Sequence, residues 1–295
     1  MSLVATLIAN PKDRALSPAV GDRAFSAVKA TSLYWLADGI ACDIALTDGI
    51  TEAEAYHALR SALEGQPVDV VVQQAETRRK KILLADMDST MIGQECIDEL
   101  ADEAGIKAHV AAITARAMNG EIEFEPALRE RVSLLKGLPV SVIEHVIGTR
   151  ITLTPGGREL VQTMRANGAY TVLVSGGFTA FTSRICSMIG FDENRANVLL
   201  EVDGILSGEV AEPILGKQAK LDTLEETAAR LDLSPEDVMA VGDGANDLAM
   251  IERAGSGVAL HAKPAVAAQA RMRIDHGDLT ALLYIQGYRK TDFIA

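Results

Sequence analysis

At 295 residues, of which 48% are hydrophobic, the chain can form one large or two modest domains with a substantial core. Its net charge of −13 disfavours nucleic acid and anionic membranes as partners, because both would repel the protein. The three cysteines, Cys42, Cys96 and Cys186, are widely scattered and form no C-x-x-C pair. That pattern favours reduced, buried thiols over a disulfide or a zinc site.

The sequence carries no pattern that would direct the protein to a membrane or out of the cell. Residues 1–10 lack a basic segment before their short apolar run, so a signal peptide is not expected. No apolar stretch reaches the length of a membrane-spanning helix. We therefore expect a soluble protein of the cytoplasm.

Residues 1–75 predict a separate small α+β domain. Hydrophobic patterns indicate strands at 3–8, 32–36, 41–46 and 68–72 and helices at 17–29 and 51–63. Asp38 and Gly39 predict a hairpin turn, and Thr51 with Glu54 predicts a capping box. This order of elements predicts a ferredoxin-like fold. It is similar to the amino-acid-sensing ACT domains, but we find no ligand motif. We prefer a packing or dimerising role, so a homodimer is possible and sensing stays open.

Residues 76–295 alternate strands and helices, as in a doubly wound α/β domain with a parallel sheet. The exception is a stretch of about 93–150, which is helical in composition and contains no convincing strand. A helical insertion at that place would lie over the strand ends as a cap and exclude water from the site. Residues 198–210 predict a hairpin, either a flap beside the site or a surface feature.

Three apolar strands of this second domain end in polar loops. Residues 82–85 lead into Asp86 and Asp88, 170–174 into Ser175-Gly176-Gly177, and 238–241 into a glycine-rich acidic loop at 242–247. The carboxyl ends of parallel strands meet at one edge of the sheet, where ligands bind. Carboxylates close together repel each other unless a cation or a shared proton intervenes, and glycine N–H groups can approach an anion. We therefore expect one site with a divalent metal and an anion pocket.

These residues resemble the four ordered motifs of the haloacid dehalogenase-like phosphatases. The motifs are Asp86-x-Asp88-x-Thr90, Ser175-Gly176-Gly177, Lys220, and Gly242-Asp243-Gly244-Ala245-Asn246-Asp247. Glu95, residues 124–135 and residues 261–264 further resemble the phosphoserine phosphatases, a family within that superfamily. The resemblance covers about residues 82–285.

The resemblance implies phosphoryl transfer through a covalent aspartyl-phosphate. Asp86 is expected to be the nucleophile, and Asp88 the general acid for the leaving oxygen and then the base for water. Mg²⁺ is expected on the Asp86 carboxylate, the Asp88 backbone carbonyl and Asp243. Asp247 is expected to support the metal's water shell or to orient Lys220.

The remaining residues of the motifs are expected to bind the substrate phosphate. Ser175 and the Gly176 N–H would bind its oxygens, Lys220 would neutralise it, and Asn246 would hydrogen-bond near it. We prefer Lys220 to the nearby Lys217 because it begins a helix in the way the family's third motif does.

Substrate choice is expected to come from the cap. The implied substrate is O-phospho-L-serine, hydrolysed to L-serine and phosphate in the last step of serine biosynthesis. Glu95 suits the substrate ammonium, and Arg131 suits its carboxylate because a guanidinium binds carboxylates bidentately. Met118 and Phe124 are candidates for an apolar wall. Outside this set, we expect structural roles for Arg129 and His261 and assign none to Lys263.

The sequence leaves other functions open. A phosphatase for another small phosphate ester, or a phosphotransferase that passes the phosphoryl group to an alcohol, would carry the same motifs. A catalytically silent amino-acid-sensing regulator is disfavoured, because such a protein would have lost residues such as Asp86, Asp88, Lys220 or Asp243, and all four are present.

Overall fold

The computed structural model describes residues 2–118 and 121–294, without the side chain of Met118. The N-terminal part forms a four-stranded antiparallel sheet in the order β2–β3–β1–β4. Its elements are β1 (Leu3–Ala9), α1 (Pro18–Ala27), β2 (Ala30–Ala37), β3 (Ala41–Leu46), α2 (Glu52–Ala62) and β4 (Val68–Gln74). The predicted ferredoxin-like arrangement is therefore confirmed, and the boundary after residue 75 stays a prediction.

Local sequence chemistry explains the turns and caps of this sheet. Gly39 has a φ of +72° in the turn between β2 and β3, a backbone conformation that side chains disfavour. The Thr51 N–H and hydroxyl donate to the Glu54 carboxylate, while the Glu54 N–H donates to the Thr51 hydroxyl. This reciprocal capping box begins α2 at the predicted position.

The larger sheet has six parallel strands in the order β12–β11–β10–β5–β6–β7. Its strands are β5 (Ile82–Asp86), β6 (Tyr170–Phe178), β7 (Glu193–Asn197), β10 (Val238–Gly242), β11 (Ser256–Leu260) and β12 (Met272–Ile274). The helices between them are α7 (Gly157–Ala166), α8 (Thr179–Ile189), α9 (Lys217–Arg230), α10 (Leu248–Arg253) and α11 (Pro264–Ala267), and α12 (Ala281–Ile285) follows β12. The predicted doubly wound α/β fold is confirmed.

The strand register brings the polar strand ends together. Asp86 lies opposite Val174 of β6, and Ala85 lies opposite Val241 of β10. Strand β6 does not end before Ser175, where a glycine-rich loop was predicted, but continues to Phe178. Its pairing with β7 is irregular after Val174. The Ser-Gly-Gly segment is therefore an extension of β6 and not a separate loop.

Within the described part of the chain, four helices form the cap between β5 and α7. They are α3 (Cys96–Glu103), α4 (Lys107–Met118), α5 (Phe124–Ser133) and α6 (Ser141–Thr149). The two linkers that connect the cap to the sheet pair with each other through an Ile92–Leu153 bridge. The Gln94 side chain also accepts from the Thr152 N–H at 2.9 Å and donates to its hydroxyl at 2.9 Å. This short ladder forms the base of the insertion, and its bounds of about 93 and 150 stay a prediction.

The predicted hairpin consists of β8 (Leu199–Val202) and β9 (Ile205–Val210). Its backbone bonds to the cap loop: the Gly137 N–H donates to the Leu206 carbonyl, and the Leu206 N–H donates to the Leu138 carbonyl, both at 2.9 Å. The hairpin therefore contacts the side of the cap, and its role as a flap or as a surface feature stays a prediction.

The core spans both sheets. Strand β1 is buried on both faces, and Ile8 and Val71 share a hydrophobic cluster with Leu283 and Tyr284 of α12. All three cysteines are buried and unpaired. Within the part of the chain that the structure describes, no helix has the length and apolar character needed to span a membrane.

The turn before α7 generates a stability prediction. Gly156 has a φ of +83°, and a Cβ there would lie 2.6 Å from the Thr280 backbone nitrogen. Gly168 has a similar φ of +85° but open space around it. Gly168→Ala should lower the free energy of unfolding by about 1–2 kcal/mol through backbone strain alone. Gly156→Ala should lower the free energy of unfolding by at least about 1 kcal/mol more than Gly168→Ala, because the packed backbone at Thr280 must move. Urea denaturation would measure the free energy of unfolding of both variants. Equal decreases would contradict a steric conflict between position 156 and Thr280.

Candidate active site

The polar strand ends meet at the floor of a cavity of 620 Å³ between the sheet and the cap. Its floor comes from the ends of β5, β6 and β10, and its roof comes from α3, α4 and α5. Predicted site residues that line it are Asp86, Asp88, Glu95, Arg131, Ser175, Gly176, Asp243 and Asn246. Lys220 lies beneath the floor and contacts Asp86.

Lys220 joins two carboxylates in the buried floor. Its Nζ lies 2.6 Å from Asp86 Oδ1 and 2.5 Å from Asp247 Oδ1. The exposed fraction is 4% for Asp86, 2% for Lys220 and 0% for Asp247. Burial opposes the lysine charge, but the two carboxylates outweigh it and raise the pKa of Lys220. The contact is consistent with Asp247 orienting Lys220, one of its two expected roles, which stays a prediction.

One ammonium cannot neutralise this floor. Burial and the neighbouring Asp247 hold the pKa of Asp86 well above its usual range, against the effect of Lys220. Burial and Asp247 also raise the pKa of Asp243. One oxygen from each of Asp86, Asp243 and Asp247 lies within 4.8 Å of the others. Three converging carboxylates are a donor set that fits a divalent oxygen-binding cation such as Mg²⁺.

Asp247 also shapes the loop that carries Asp243. Its Oδ2 accepts from the Asp243 N–H at 3.2 Å and from the Gly244 N–H at 2.9 Å. The same carboxylate therefore fixes both Lys220 and the backbone of the acidic loop. Asp247 stands with Asp86 and Asp243 in the carboxylate group, whereas the Asp88 side chain does not. Ligation by the Asp88 carbonyl stays a prediction.

The Asp88 carboxylate has its own hydrogen bonds. Oδ1 accepts from the Cys96 N–H at 2.9 Å, and Oδ2 accepts from the Ser175 hydroxyl at 3.1 Å. Burial raises the pKa of Asp88 in spite of these bonds. A carboxyl group that keeps its proton more readily is suited to donate it to a leaving oxygen.

The Ser-Gly-Gly segment is held from two sides. The Gly177 N–H donates to the Ser175 hydroxyl at 2.8 Å, and a Cβ at Gly177 would lie only 3.0 Å from Asp88 Oδ2. Asn197, at the end of β7, donates to the Gly176 carbonyl at 2.9 Å and accepts from the Leu215 N–H at 2.7 Å. Sequence reasoning missed Asn197, because nothing distinguishes one asparagine after a strand until the strands are placed.

The cap contributes groups of opposite charge to the cavity. Glu95 accepts from the Ser89 hydroxyl at 2.8 Å, and burial followed by the nearby Asp88 raises its pKa. Arg131 donates to the Ala127 carbonyl at 3.2 Å and to the Thr114 hydroxyl at 3.4 Å. Burial lowers the pKa of Arg131. Both side chains line the cavity, where Arg131 is half-buried and Glu95 stays exposed.

Other cap residues separate into lining and outer positions. Phe124 lines the cavity, whereas the Met118 side chain lies outside what the structure describes. Arg129 does not line the cavity and pairs instead with Glu212. Asp98 and Thr114 line the cavity and were not expected from sequence, since both are ordinary residues on helical faces.

Comparisons with known proteins agree with this geometry. A family model for the haloacid dehalogenase-like hydrolases matches residues 83–252. A phosphoserine phosphatase from Polaromonas sp. is 46% identical over 224 residues, which cover 74% of this chain and 95% of that protein.

Solved structures extend the likeness to the whole fold. A HAD family hydrolase from Salmonella enterica serovar Typhi has a TM-score of 0.85 at 30% identity, covering 96% of this chain and 98% of that chain. A phospho-aspartyl intermediate analogue of phosphoserine phosphatase has a TM-score of 0.65 at 42% identity, covering 70% of this chain and 98% of that chain. The chain therefore belongs to the haloacid dehalogenase-like hydrolases and, within them, to the phosphoserine phosphatase family.

Proposed function

We propose that this protein hydrolyses O-phospho-L-serine to L-serine and inorganic phosphate, the last step of serine biosynthesis. The observation that carries the proposal is the arrangement of the cavity. A buried carboxylate, Asp86, sits beside Lys220 on the floor, and the strand end Ser175-Gly176-Gly177 lines the same cavity. Glu95 and Arg131 face the same cavity from the cap side. Family membership supports the same reaction.

In the first step an Asp86 carboxylate oxygen attacks the substrate phosphorus, and the bond from phosphorus to the serine oxygen breaks. Asp88 gives its proton to that oxygen, so L-serine leaves as a neutral alcohol and Asp86 carries the phosphoryl group. The raised pKa of Asp88 supports this role, because an acid must hold a proton before it can donate one.

In the second step Asp88, now ionised, takes a proton from water. The water oxygen attacks the phosphorus, the bond to Asp86 breaks, and inorganic phosphate leaves. The Ser175 hydroxyl lies 3.1 Å from Asp88 Oδ2, so the group that moves the proton is next to the strand end that would bind the phosphate oxygens. The Gly176 N–H and Asn246 would add donors there, and Lys220 would balance charge from below.

Asp86 and Asp243, with the Asp88 carbonyl, would hold Mg²⁺, and Asp247 would steady that site. The ion would neutralise the repulsion between the substrate phosphate and the nucleophilic carboxylate. The excess of buried carboxylates over ammonium groups supports a cation at this place.

The cap residues would select the amino-acid part of the substrate. Glu95 would bind its ammonium group, and Arg131 would bind its carboxylate through two parallel N–H donors. We place the reaction in the cytoplasm, where thiols stay reduced, which the three unpaired cysteines support. A homodimer stays a prediction.

The nucleophile assignment predicts the behaviour of Asp86→Asn. The change removes the charge with little change of shape, so turnover of phosphoserine should fall by at least about 10³-fold while the protein stays folded. Phosphate release and circular dichroism would measure the two properties. Appreciable turnover by the pure variant would contradict Asp86 as the nucleophile.

The assignment of Arg131 predicts a substrate-dependent loss. Arg131→Ala should lower kcat/KM for phosphoserine about 100-fold, the usual cost of a lost charge-assisted pair, and change hydrolysis of an aryl phosphate less than about threefold. Arg129→Ala is the matched control, since Arg129 lies on the same helix and pairs outside the cavity. Equal losses on both substrates would place Arg131 in the phosphate site or the scaffold.

The carboxylate group predicts stabilisation by Mg²⁺ without substrate. Saturating Mg²⁺ should raise Tm, and Asp243→Asn should abolish most of the rise. The rise should be smaller at about pH 5 than at about pH 7, because raised pKa values keep protons on Asp86 and Asp243 that the ion must displace. Differential scanning fluorimetry would test this. A rise that persists in Asp243→Asn would place the cation elsewhere.

A further inference from the structure

Residues 275–280, which we call the junction segment, follow β12 and lie where the N-terminal sheet, an active-site loop and the cap linker meet. On one side the segment is held by Asp69 of β4, whose side chain is 2% exposed. The Asp69 carboxylate accepts from three successive backbone N–H groups, those of Asp275, His276 and Gly277, at 2.8 to 3.2 Å. Successive N–H groups that converge on one carboxylate form an anion-binding nest.

On the other side the segment holds the loop that carries Lys263. The Nε2 of His261 lies 2.8 Å from the Gly277 carbonyl oxygen, and the His261 N–H donates to the Ile274 carbonyl at 2.8 Å. His261 adopts a φ of +44°, a backbone conformation that is uncommon outside glycine and that asparagine, aspartate and histidine adopt more often than other residues. The tertiary contact to Gly277 helps to hold this strained turn.

Lys263 connects this loop to the active site. Its side chain lines the cavity, and its N–H donates to the Asp243 carbonyl at 3.2 Å. Its charge opposes the rise that burial causes in the pKa of Glu95 and of Asp243. Lys263 therefore stands beside both the carboxylate group and the proposed ammonium-binding residue.

The junction segment also contacts the cap linker. The Leu279 N–H donates to the Pro155 carbonyl at 3.1 Å. Gly156, the next residue, lies so close to Thr280 that a Cβ there would meet its backbone nitrogen at 2.6 Å. A displacement of residues 275–280 would therefore reach both Lys263 and the linker that carries the cap.

We propose that Asp69, although it belongs to the N-terminal sheet, is a positioning residue for the active site, because its carboxylate holds the junction segment and thereby the Lys263 loop and the cap linker. The expected effect on KM for phosphoserine rests on the proposed function. The expected effect on the position of the Lys263 loop rests on the contacts alone. Through Asp69 the N-terminal sheet would support substrate binding without binding a ligand itself.

The arrangement predicts which kinetic constant changes. Asp86, Lys220 and Asp247 hold one another through contacts in which residues 275–280 take no part among the described residues. Lys263, by contrast, lines the cavity, and the cap linker carries the helices that form its roof. Loss of the Asp69 carboxylate should therefore weaken substrate binding and leave the chemical step almost unchanged.

Asp69→Asn in the full-length protein tests the inference, because an amide cannot accept with both of its terminal atoms. KM for phosphoserine should rise about tenfold and kcat should change less than about twofold, as expected when a buried group loses its partner. The matched control is Asp43→Asn in the same sheet. Asp43 is 5% exposed, and its side-chain partners are Thr6 and Arg78, outside the junction segment. The control should leave KM unchanged.

Amide hydrogen exchange provides a readout that does not depend on activity. In Asp69→Asn, exchange should accelerate at residues 275–277, where the donors lose their acceptor, and also at 261–263. In Asp43→Asn neither region should change. If Asp69→Asn does not fold, His261→Asn tests the contacts of the junction segment with the Lys263 loop. It removes the contact to Gly277 while tolerating the positive φ, and it should raise KM and accelerate exchange at 275–277.

The outcomes separate this inference from the proposed function. If the wild-type protein hydrolyses no phosphoserine, the proposed function fails, and the exchange pattern still decides whether Asp69 positions the Lys263 loop. Unchanged KM and unchanged exchange at 261–263 in folded Asp69→Asn would overturn the inference. An equal rise in KM in Asp43→Asn would also overturn it, because the effect would then come from the stability of the sheet.

Discussion

The contact of Lys220 with Asp86 and Asp247 is the constraint on which the rest of the site depends. Two carboxylates and one ammonium are almost completely removed from water, so the group has one negative charge more than it can balance. Asp243 adds a further carboxylate to the same place. A cation, or a proton, has to complete the group, and this requirement links the fold to metal-dependent phosphoryl transfer.

The cap is a second constraint, because the chemistry requires a closed site and the substrate requires an entrance. The insertion is attached at its base by the Gln94–Thr152 ladder and at its side by the β8–β9 hairpin. The first attachment uses the Gln94 side chain and the second uses backbone groups. Apolar cap residues such as Val132 and Val146 also share one buried hydrophobic cluster with Leu83 of the sheet. Glu95 and Arg131, the residues proposed to select the substrate, lie on this insertion.

Much of this was predictable from the sequence because the signals are local. The apolar runs before Asp86 and Asp243 predicted strands, and the helical composition of 93–150 predicted the cap. Other features have no local signal. Asn197 becomes visible only when β7 lies beside β6, and the extension of β6 to Phe178 depends on pairing with a neighbouring strand. Likewise, Asp69 is an unremarkable strand residue until three distant N–H groups converge on it.

The sequence by itself determined which chemical groups are present and on which element each lies, because strand and helix periodicity depend on neighbouring residues. It therefore specified a parallel sheet whose polar ends meet, with carboxylates, a lysine and a glycine-rich strand end. Only the tertiary structure decided which carboxylates contact the same lysine and which backbone groups support the site. Those relations join residues far apart in the chain, such as Lys220 with Asp86, and burial sets their electrostatic strength.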